Sequence, residues 1–480
     1  MNKTSIVRSF YEADISDDIQ ISSVSNDSRD VEKGALFFAR NGSSSNGLHF
    51  INEAVKNGAV CIISDQRKPS NINIPFIRVK NLEHSLVSFL FKFYDLNPDN
   101  FLFHGVTGTN GKTSTAFMSH QILQKLGKTS IYIGTLGAII EDELVHTKGN
   151  TTPGIFELFN ILKLTDKNKK NFILLELSSH ALDQNRLLDL EFFQTMLLNI
   201  QSDHLDYHSS LEQYIDAKLA ILNVPSINLP IVNFDSLLVK ENLAVNTKLS
   251  NFKDLHFKDS HATFACKIHF NPHSASMVSL NYPKINISIN IDLFPRFNLE
   301  NFACAVALIS ESLSSEDCQF LDRLEIKLPP GRSEFIETSR GKVFIDFAHD
   351  PQAMKNILLA LKESYDDILL VFGCGGERDR LKRPEMMRVA QEFSETIFFT
   401  SDNSRNEDFS SIEKDALRGC NFKNLQVIES REDAIKNGLK NLRKDNILVI
   451  LGKGHETFME VGGNKIPFND RECVLRNVKV

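Results

Sequence analysis

The stretch FHGVTGTNGKTST, Phe103 to Thr115, decides how this chain is read. An apolar, strand-like run ends in a glycine-rich turn, and the turn opens a helix-like segment at Lys112. Glycine has no Cβ, so its backbone can curl until several N–H groups converge on one anion. Gly105, Gly108 and Gly111 supply that freedom, and the helix start adds the positive end of its dipole. Lys112 brings a point charge to phosphate, and the Thr113 hydroxyl suits a magnesium ion. The candidate nucleotide-phosphate residues are therefore Gly108, Thr109, Asn110, Gly111, Lys112, Thr113 and Ser114. The general P-loop pattern has glycine five residues before Gly111, where this chain has Val106, so TGTNGKT marks a subclass of such loops.

Working outward, strands KTSIYIGT, NFILLELSS and TMLLNI alternate with helical stretches after the loop. That alternation predicts a mostly parallel sheet covered on both faces. Residues 1–98 form a smaller zone with buried strands GALFFAR and AVCIISD around a helix FINEAVKNG, closed by the turn-rich YDLNPDN. Residues 99–328 hold the phosphate loop; from Asn223 to about Pro295 the pattern is less regular, and INISINIDL alternates like antiparallel strands. Residues 329–480 repeat the strand–helix alternation through KVFIDFA, DDILLVFGCGG, ETIFFTSDN, LQVIES and DNILVILGKG, as in a Rossmann-like domain. The expectation is an α/β chain with three zones: a small amino-terminal α/β zone, a central zone carrying the P-loop on a mostly parallel sheet, and a carboxyl-terminal Rossmann-like zone.

Composition narrows the function. A formal net charge of −7 offers no polybasic surface for nucleic acid. Seven cysteines are scattered without a C-x-x-C pair, which reads as free thiols in a reducing compartment. The amino terminus turns acidic before any long apolar run, and no stretch has the unbroken apolar length of a membrane span. The expectation is a cytoplasmic protein.

Polar clusters follow the strand ends, where ligands bind in open α/β sheets. Glu176 closes NFILLEL, and hard cations favour such a carboxylate. NIQSDHLDYH gathers Asp203, His204, Asp206 and His208 beside the phosphate site. Lys218 lies on an amphipathic segment and reads by itself as an ordinary exposed lysine. PPGRSE offers Arg332, DFAHDP offers Asp346 and His349, and GCGGERDRLKRPEM offers Arg383 after three glycines suited to close backbone approach. SDNSR contributes Asp402, Asn403 and Arg405, and GKGHE contributes Gly452, Lys453, His455 and Glu456. Polar clusters at three strand ends of one sheet would converge on one crevice.

The order TGTNGKT, ELSSH, DHLDYH, AK, FNLEN, PPGR, DFAHDP, GCGG-x-RD-x-x-KRP, SDN-x-R and GKGHE resembles the Mur ligase family along nearly the whole chain. The resemblance implies that the three zones are three domains: an amino-terminal domain for the UDP end of a substrate, a central P-loop ATPase domain and a carboxyl-terminal Rossmann-like domain bringing an amino acid. It implies that ATP activates the D-glutamate carboxylate of UDP-N-acetylmuramoyl-L-alanyl-D-glutamate as an acyl phosphate. An amine of meso-diaminopimelate then attacks, in peptidoglycan precursor synthesis. Lys112, Glu176, His204 and Lys218 would be catalytic, with Thr113, Glu176, His204 and Lys218, the last as a carbamate, around magnesium. Asn298, Asn301, Arg332, Asp346 and His349 would surround the nucleotide. Ser28 in NDSRDV, Asn150, Thr151 and Thr152 in NTTP, Ser179, Gln184 and Arg186 would hold the UDP-linked substrate. Arg383, Asp402, Asn403, Arg405, Gly452 and Glu456 would hold the amino acid, with no nucleic acid, no membrane insertion and a monomer as the default state.

Diaminopimelate exceeds lysine by one carboxylate, and the fork of Arg405 matches a carboxylate bidentately. Two departures from the family pattern stand out: Ser404 replaces the proline usual in DNPR, and Asp350 in HDP adds negative charge near the nucleotide. The alternatives are addition of L-lysine or another diamine, a folylpolyglutamate synthetase, which shares TGTNGKT, and a nucleotide-gated binding protein without ligation.

Overall fold

The computed structural model describes residues 3–16, 18–40, 46–245, 251–257, 259, 261–272 and 274–478. The chain divides into two compact units. The first comprises Met1–Gly105, Gly127–Thr195 and Ala220–Leu229, and the second Val106–Leu126, Met196–Leu219 and Pro230–Val480.

In the first unit, strands Ser23–Ser25, Ala35–Phe38, Ala59–Ser64 and Phe76–Arg78 form a parallel sheet in that order. The helix Ile51–Asn57 stands between the two strands read from GALFFAR and AVCIISD. It stops at Gly58, whose φ of 116° a Cβ would oppose. Apolar side chains at helical spacing in Leu86–Tyr94 pack against the helix Ile155–Leu162, with Phe91 and Phe159 edge to face at 4.8 Å. Further along, Thr129–Gly134 pairs parallel with Asn171–Glu176 and antiparallel with Gly137–Ile140. The run NFILLE is buried at every position, as a strand covered on both faces must be.

In the second unit, the phosphate-loop helix Lys112–Lys125 packs on Arg296–Ile309, tied by Ser119 Oγ donating to Ala305 O at 3.1 Å. Parallel pairs link Gln194–Leu197, Ile231–Asn233, Lys253–His256 and Phe264–His269. The antiparallel reading of INISINIDL holds, because Ile285–Ile291 pairs with Ser276–Tyr282 in that sense.

A separate six-stranded sheet has the order Glu334–Glu337, Lys342–Asp346, Asn446–Leu451, Asp367–Cys374, Thr396–Ser401, Leu425–Val427. Only its first strand runs antiparallel. Val449 and Phe399 face a core with Met354, Leu358 and Met387, while Leu448 and Phe398 face Ile435, Leu439 and Val474. Burying each such side chain contributes roughly 1.5–3 kcal/mol. These two layers fix the strand ends that carry the polar motifs. Among the described residues, no helix is long and apolar enough to cross a membrane. The α/β class with mostly parallel sheets is as the alternation required.

Candidate active site

The strand Phe101–Thr107 runs into the phosphate loop, and Gly111, at φ 87°, turns the chain into its helix. A Cβ on Gly111 would strike Asn301 Oδ1, so both conformation and space demand glycine there. The loop is clamped from the next strand end. Asn110 N donates to Asn199 Oδ1 at 2.9 Å, Asn199 Nδ2 to Asn110 O at 3.0 Å, and Asn110 Nδ2 to Gln201 Oε1 at 2.9 Å. Gln201 N donates to Thr109 Oγ1 at 2.9 Å, and Tyr214 OH lies 2.8 Å from the same oxygen. Asn199, Gln201 and Tyr214 are not among the sequence candidates. The polar stretch NIQSDHLDYH contains the first two, whereas nothing local marks Tyr214. Lys112 Nζ donates to Gly108 O at 2.8 Å and Thr109 O at 3.0 Å, which anchors its charge at the loop.

Beside the loop lies a cavity of about 990 Å³, lined by Asn110, Gly111, Ser114, Asn298, Asn301, Arg332, Asp346, His349 and Asp350 among others. That volume is within the range of small-molecule sites. Buried Asn298 donates to Phe294 O and Ser333 Oγ, both at 3.0 Å, and accepts from Asn301 at 3.3 Å. Arg332 stacks 4.4 Å over the Phe347 ring and reaches Thr113 Oγ1 at 3.5 Å. Asp346 accepts from Ser333 N at 2.6 Å and Ala348 N at 2.8 Å; burial raises its pKa against the pull of Arg332. Asp350 has a structural task, because its side chain caps the helix Pro351–Lys362 by accepting from Ala353 N at 2.9 Å.

Lys218 is not the exposed lysine its local sequence suggests: it is 1% exposed. Its Nζ donates to Gly108 O at 2.7 Å and Thr107 Oγ1 at 3.3 Å. Burial, then the charge of Lys112, push its pKa well down, against the opposing pull of Asp203. His204 has a left-handed backbone, φ 51°, and its Nε2 lies 3.5 Å from Asp203 Oδ2. Asp203 also pairs with Lys382. Burial opposes ionisation of Asp203, yet His204, Lys382 and His349 hold its carboxyl below the usual range. The Asp206 side chain lies outside the described residues.

The last sheet brings SDNSR and GKGHE together. Lys453, fully buried, donates to Glu456 Oε2 at 2.6 Å and Asn403 Oδ1 at 3.1 Å, and Asn403 Nδ2 donates to Glu456 Oε2 at 2.8 Å. Gly452, at φ 115°, passes so close to Asp402 that a Cβ would meet its Oδ2 at 2.5 Å. Arg405 Nη1 donates to Gly376 O at 2.6 Å, and Nε lies 3.5 Å from Glu460 Oε2. Among the described residues, nothing accepts from Arg405 Nη2. Arg383 is committed elsewhere: it grips Glu407 with both Nη atoms, at 2.8 and 2.7 Å, and Asp415 at 3.0 Å, and donates to Gly375 O at 3.1 Å. It therefore braces the loop that Arg405 leans on.

The first unit gathers a second set. Glu176, fully buried, accepts from Tyr132 OH, from Thr135 N at 3.0 Å and from Thr135 Oγ1 at 3.2 Å. Thr152 Oγ1 donates to Glu176 O at 2.8 Å and accepts from Ser178 N at 2.9 Å; Ser178 caps the helix Ser179–Asp183. Arg186 donates to Thr152 O at 3.1 Å and to Gln184 Oε1 at 2.9 Å, and Thr151 accepts from Thr135 at 3.4 Å. Asn150 is exposed. Buried Ser28 donates to Glu53 at 2.6 Å beside an ion-pair cluster of Asp27, Arg29, Asp30 and Lys148. Tyr132 and Thr135 are additions the sequence reading lacks.

The family descriptions that match are "Mur ligase family, catalytic domain" over residues 20–91, "Mur ligase middle domain" over 106–309 and "Mur ligase, glutamate ligase domain" over 331–454. The chain is 32% identical over 476 residues to the UDP-N-acetylmuramoyl-L-alanyl-D-glutamate–2,6-diaminopimelate ligase of Fusobacterium nucleatum, covering 97% of this chain and 95% of that one. It is 34% identical over 492 residues to the enzyme of the same name from Buchnera aphidicola, covering 95% and 93%. A solved structure of a ligase with this name superposes with a TM-score of 0.64 at 27% identity, covering 95% of this chain and 94% of that one. The fold is shared with Mycobacterium tuberculosis folylpolyglutamate synthase at a TM-score of 0.57 and 15% identity, over 76% of this chain and 91% of that one. Fold and site together define an ATP-dependent ligase. The chain belongs to the Mur ligase family.

Proposed function

We propose that this enzyme adds meso-2,6-diaminopimelate to UDP-N-acetylmuramoyl-L-alanyl-D-glutamate in cytoplasmic peptidoglycan precursor synthesis, acting as a monomer. The observation that carries the reading is the Arg405 guanidinium, braced at Gly376 O with Nη2 donating to nothing among the described residues, on the loop whose Asn403 donates to Glu456. A guanidinium suits the carboxylate of one end of diaminopimelate, and acids suit its ammonium. The names of the relatives support the same choice. The domain division we propose is 1–98 for the UDP end, 99–328 for ATP and 329–480 for the amino acid.

In the proposed sequence, an oxygen of the D-glutamate carboxylate attacks the γ-phosphorus of ATP and the bond to ADP breaks. The diamino acid nitrogen attacks the acyl carbon, sheds a proton, and the tetrahedral intermediate expels phosphate. Lys112 and the loop N–H groups of Gly108 to Ser114 hold the phosphates, while Asn298, Asn301, Arg332, Asp346 and His349 bound the nucleotide cavity. Ser28, Asn150, Thr151, Thr152, Ser179, Gln184 and Arg186 hold the UDP-linked dipeptide. Arg383 acts through the Gly375 loop, and Asp402, Asn403, Arg405, Gly452 and Glu456 orient the amine.

Thr113, Glu176, His204 and carbamylated Lys218 would hold magnesium, which when bound neutralises developing phosphate charge. The donor chemistry fits: burial lowers the Lys218 pKa and so favours the neutral amine that carbon dioxide adds to, and the adduct is an oxygen ligand. The test supplies ATP, magnesium and UDP-N-acetylmuramoyl-L-alanyl-D-glutamate with meso-diaminopimelate, L-lysine or L-ornithine separately. Product mass and phosphate release are followed together. Tripeptide with diaminopimelate alone is expected. Product with lysine would sink the specificity, and no product with any amine would sink the ligation.

A further inference from the structure

Arg431 opens the helix Arg431–Asn441, and its side chain and that of Asp470 are both wholly buried. The two form a two-point pair, Nε to Oδ1 and Nη2 to Oδ2, each 2.8 Å. The same guanidinium donates from Nη2 to Leu451 O at 2.9 Å and from Nη1 to Ser401 O at 3.5 Å. Those carbonyls end the strands Asn446–Leu451 and Thr396–Ser401, which are not neighbours, because Asp367–Cys374 lies between them. The next residues are Gly452 and Asp402, the starts of the two loops that build the amino-acid cluster. Asn469, capping the helix Asp470–Asn477, donates to Glu456 O at 3.0 Å. Both loops therefore hang from one buried support.

We propose that Arg431 and Asp470, with Asn469, are positioning residues that set the width of the amino-acid subsite and so its affinity for a diamino acid. This rests on the proposed function above. A buried ion pair is weak evidence for stability, since apolar residues of equal volume do as well or better. What a bidentate pair supplies is fixed geometry. A ligand gripped at both ends needs that geometry, because small misplacements of its contacts are costly. The charge also acts on Asp402: burial would raise that carboxyl, and Lys453 and Arg431 bring it below its ordinary range.

The experiment compares Asp470→Asn, Arg431→Lys and the double variant Arg431→Met/Asp470→Met in the full chain. KM for meso-diaminopimelate, ATP and the UDP-linked dipeptide is measured, together with the melting temperature. The expected result is a rise of about tenfold or more in KM for diaminopimelate with the other two KM values nearly unmoved. The apolar double variant should recover the melting temperature without recovering that KM. A double variant with wild-type KM, or a common rise in all three, overturns the proposal. Should the buried variants fail to fold, Asn469→Asp keeps the helix cap and loses the donor to Glu456 O. Its KM for diaminopimelate should rise several-fold, and an unchanged value overturns the proposal. Wild-type protein inactive with diaminopimelate would overturn the substrate reading and this inference together. Active wild type with unmoved variants overturns this inference alone.

Discussion

The phosphate loop and the cluster proposed for the amino acid lie in the same unit and are built in opposite ways. The loop is nearly contiguous in sequence, and the atoms proposed to hold phosphate are mostly backbone N–H groups. The cluster draws the charged side chains Asp402, Arg405, Lys453 and Glu456 from two strand ends, braced by Arg383 at a third. Two buried lysines mark the contrast. Lys218, beside the loop, has a carbonyl and a hydroxyl as hydrogen-bond acceptors and is driven toward neutrality by burial and Lys112. Lys453, in the cluster, meets a carboxylate at 2.6 Å. One lysine has no carboxylate among those acceptors and the other holds one.

The sharpest way to break that contrast is Lys218→Ala. Losing a preorganised charge-stabilising group should lower kcat by about 10²–10³-fold. Wild-type activity should rise with added bicarbonate after carbon dioxide is removed, and the variant should not respond. A fully active variant would end the carbamate reading.

Glu456→Gln tests the other lysine. It leaves the buried Lys453 charge without its carboxylate, at roughly 3 kcal/mol, the low end for a broken buried pair. A lowered denaturation midpoint with an unchanged slope would register it. Arg405→Lys should cost about 1.5–3 kcal/mol of discrimination, roughly ten- to a hundredfold, in the kcat/KM ratio of diaminopimelate to lysine. An unchanged ratio would remove Arg405 from recognition.

Acid should distinguish the cluster further. The hydrogen bond from Arg383 holds the Glu407 carboxyl at about 2, against an ordinary 4.5. A depressed folded pKa means stability that is complete above about 4.5 and lost as pH falls toward about 2. The stability gap between wild type and Glu407→Gln should therefore narrow across that window; a constant gap would show that the pair carries no such linkage. The smallest effect is Asp350→Ala, about 1 kcal/mol for a lost helix cap. Tighter ATP binding by this variant would show that the extra charge also acts on the nucleotide, whereas an unchanged melting temperature would deny the cap.

The loop was legible because its requirements are local. Glycine at Gly111 answers a positive φ, and lysine follows where the helix begins. The strands were legible for a similar reason: runs such as NILVIL and NFILLE are apolar at every position, which only a doubly covered sheet tolerates. The supports were not legible. Nothing local marks Tyr214 or Arg431, and Lys218 reads as an exposed lysine. Each becomes something else because residues 39 to 111 positions away close around it.

The sequence by itself determined the phosphate loop, the alternation that makes an α/β chain, and the order of motifs that marks the family. Only the tertiary structure decided that Lys218 is buried and driven toward neutrality, that Arg383 serves Glu407, and that Arg431 spans two loop origins. The physical reason is one of range. Backbone conformation and periodic burial are imposed by neighbours within a turn or a strand. The protonation and aim of a charged side chain depend on what the fold packs against it, and no local pattern records that.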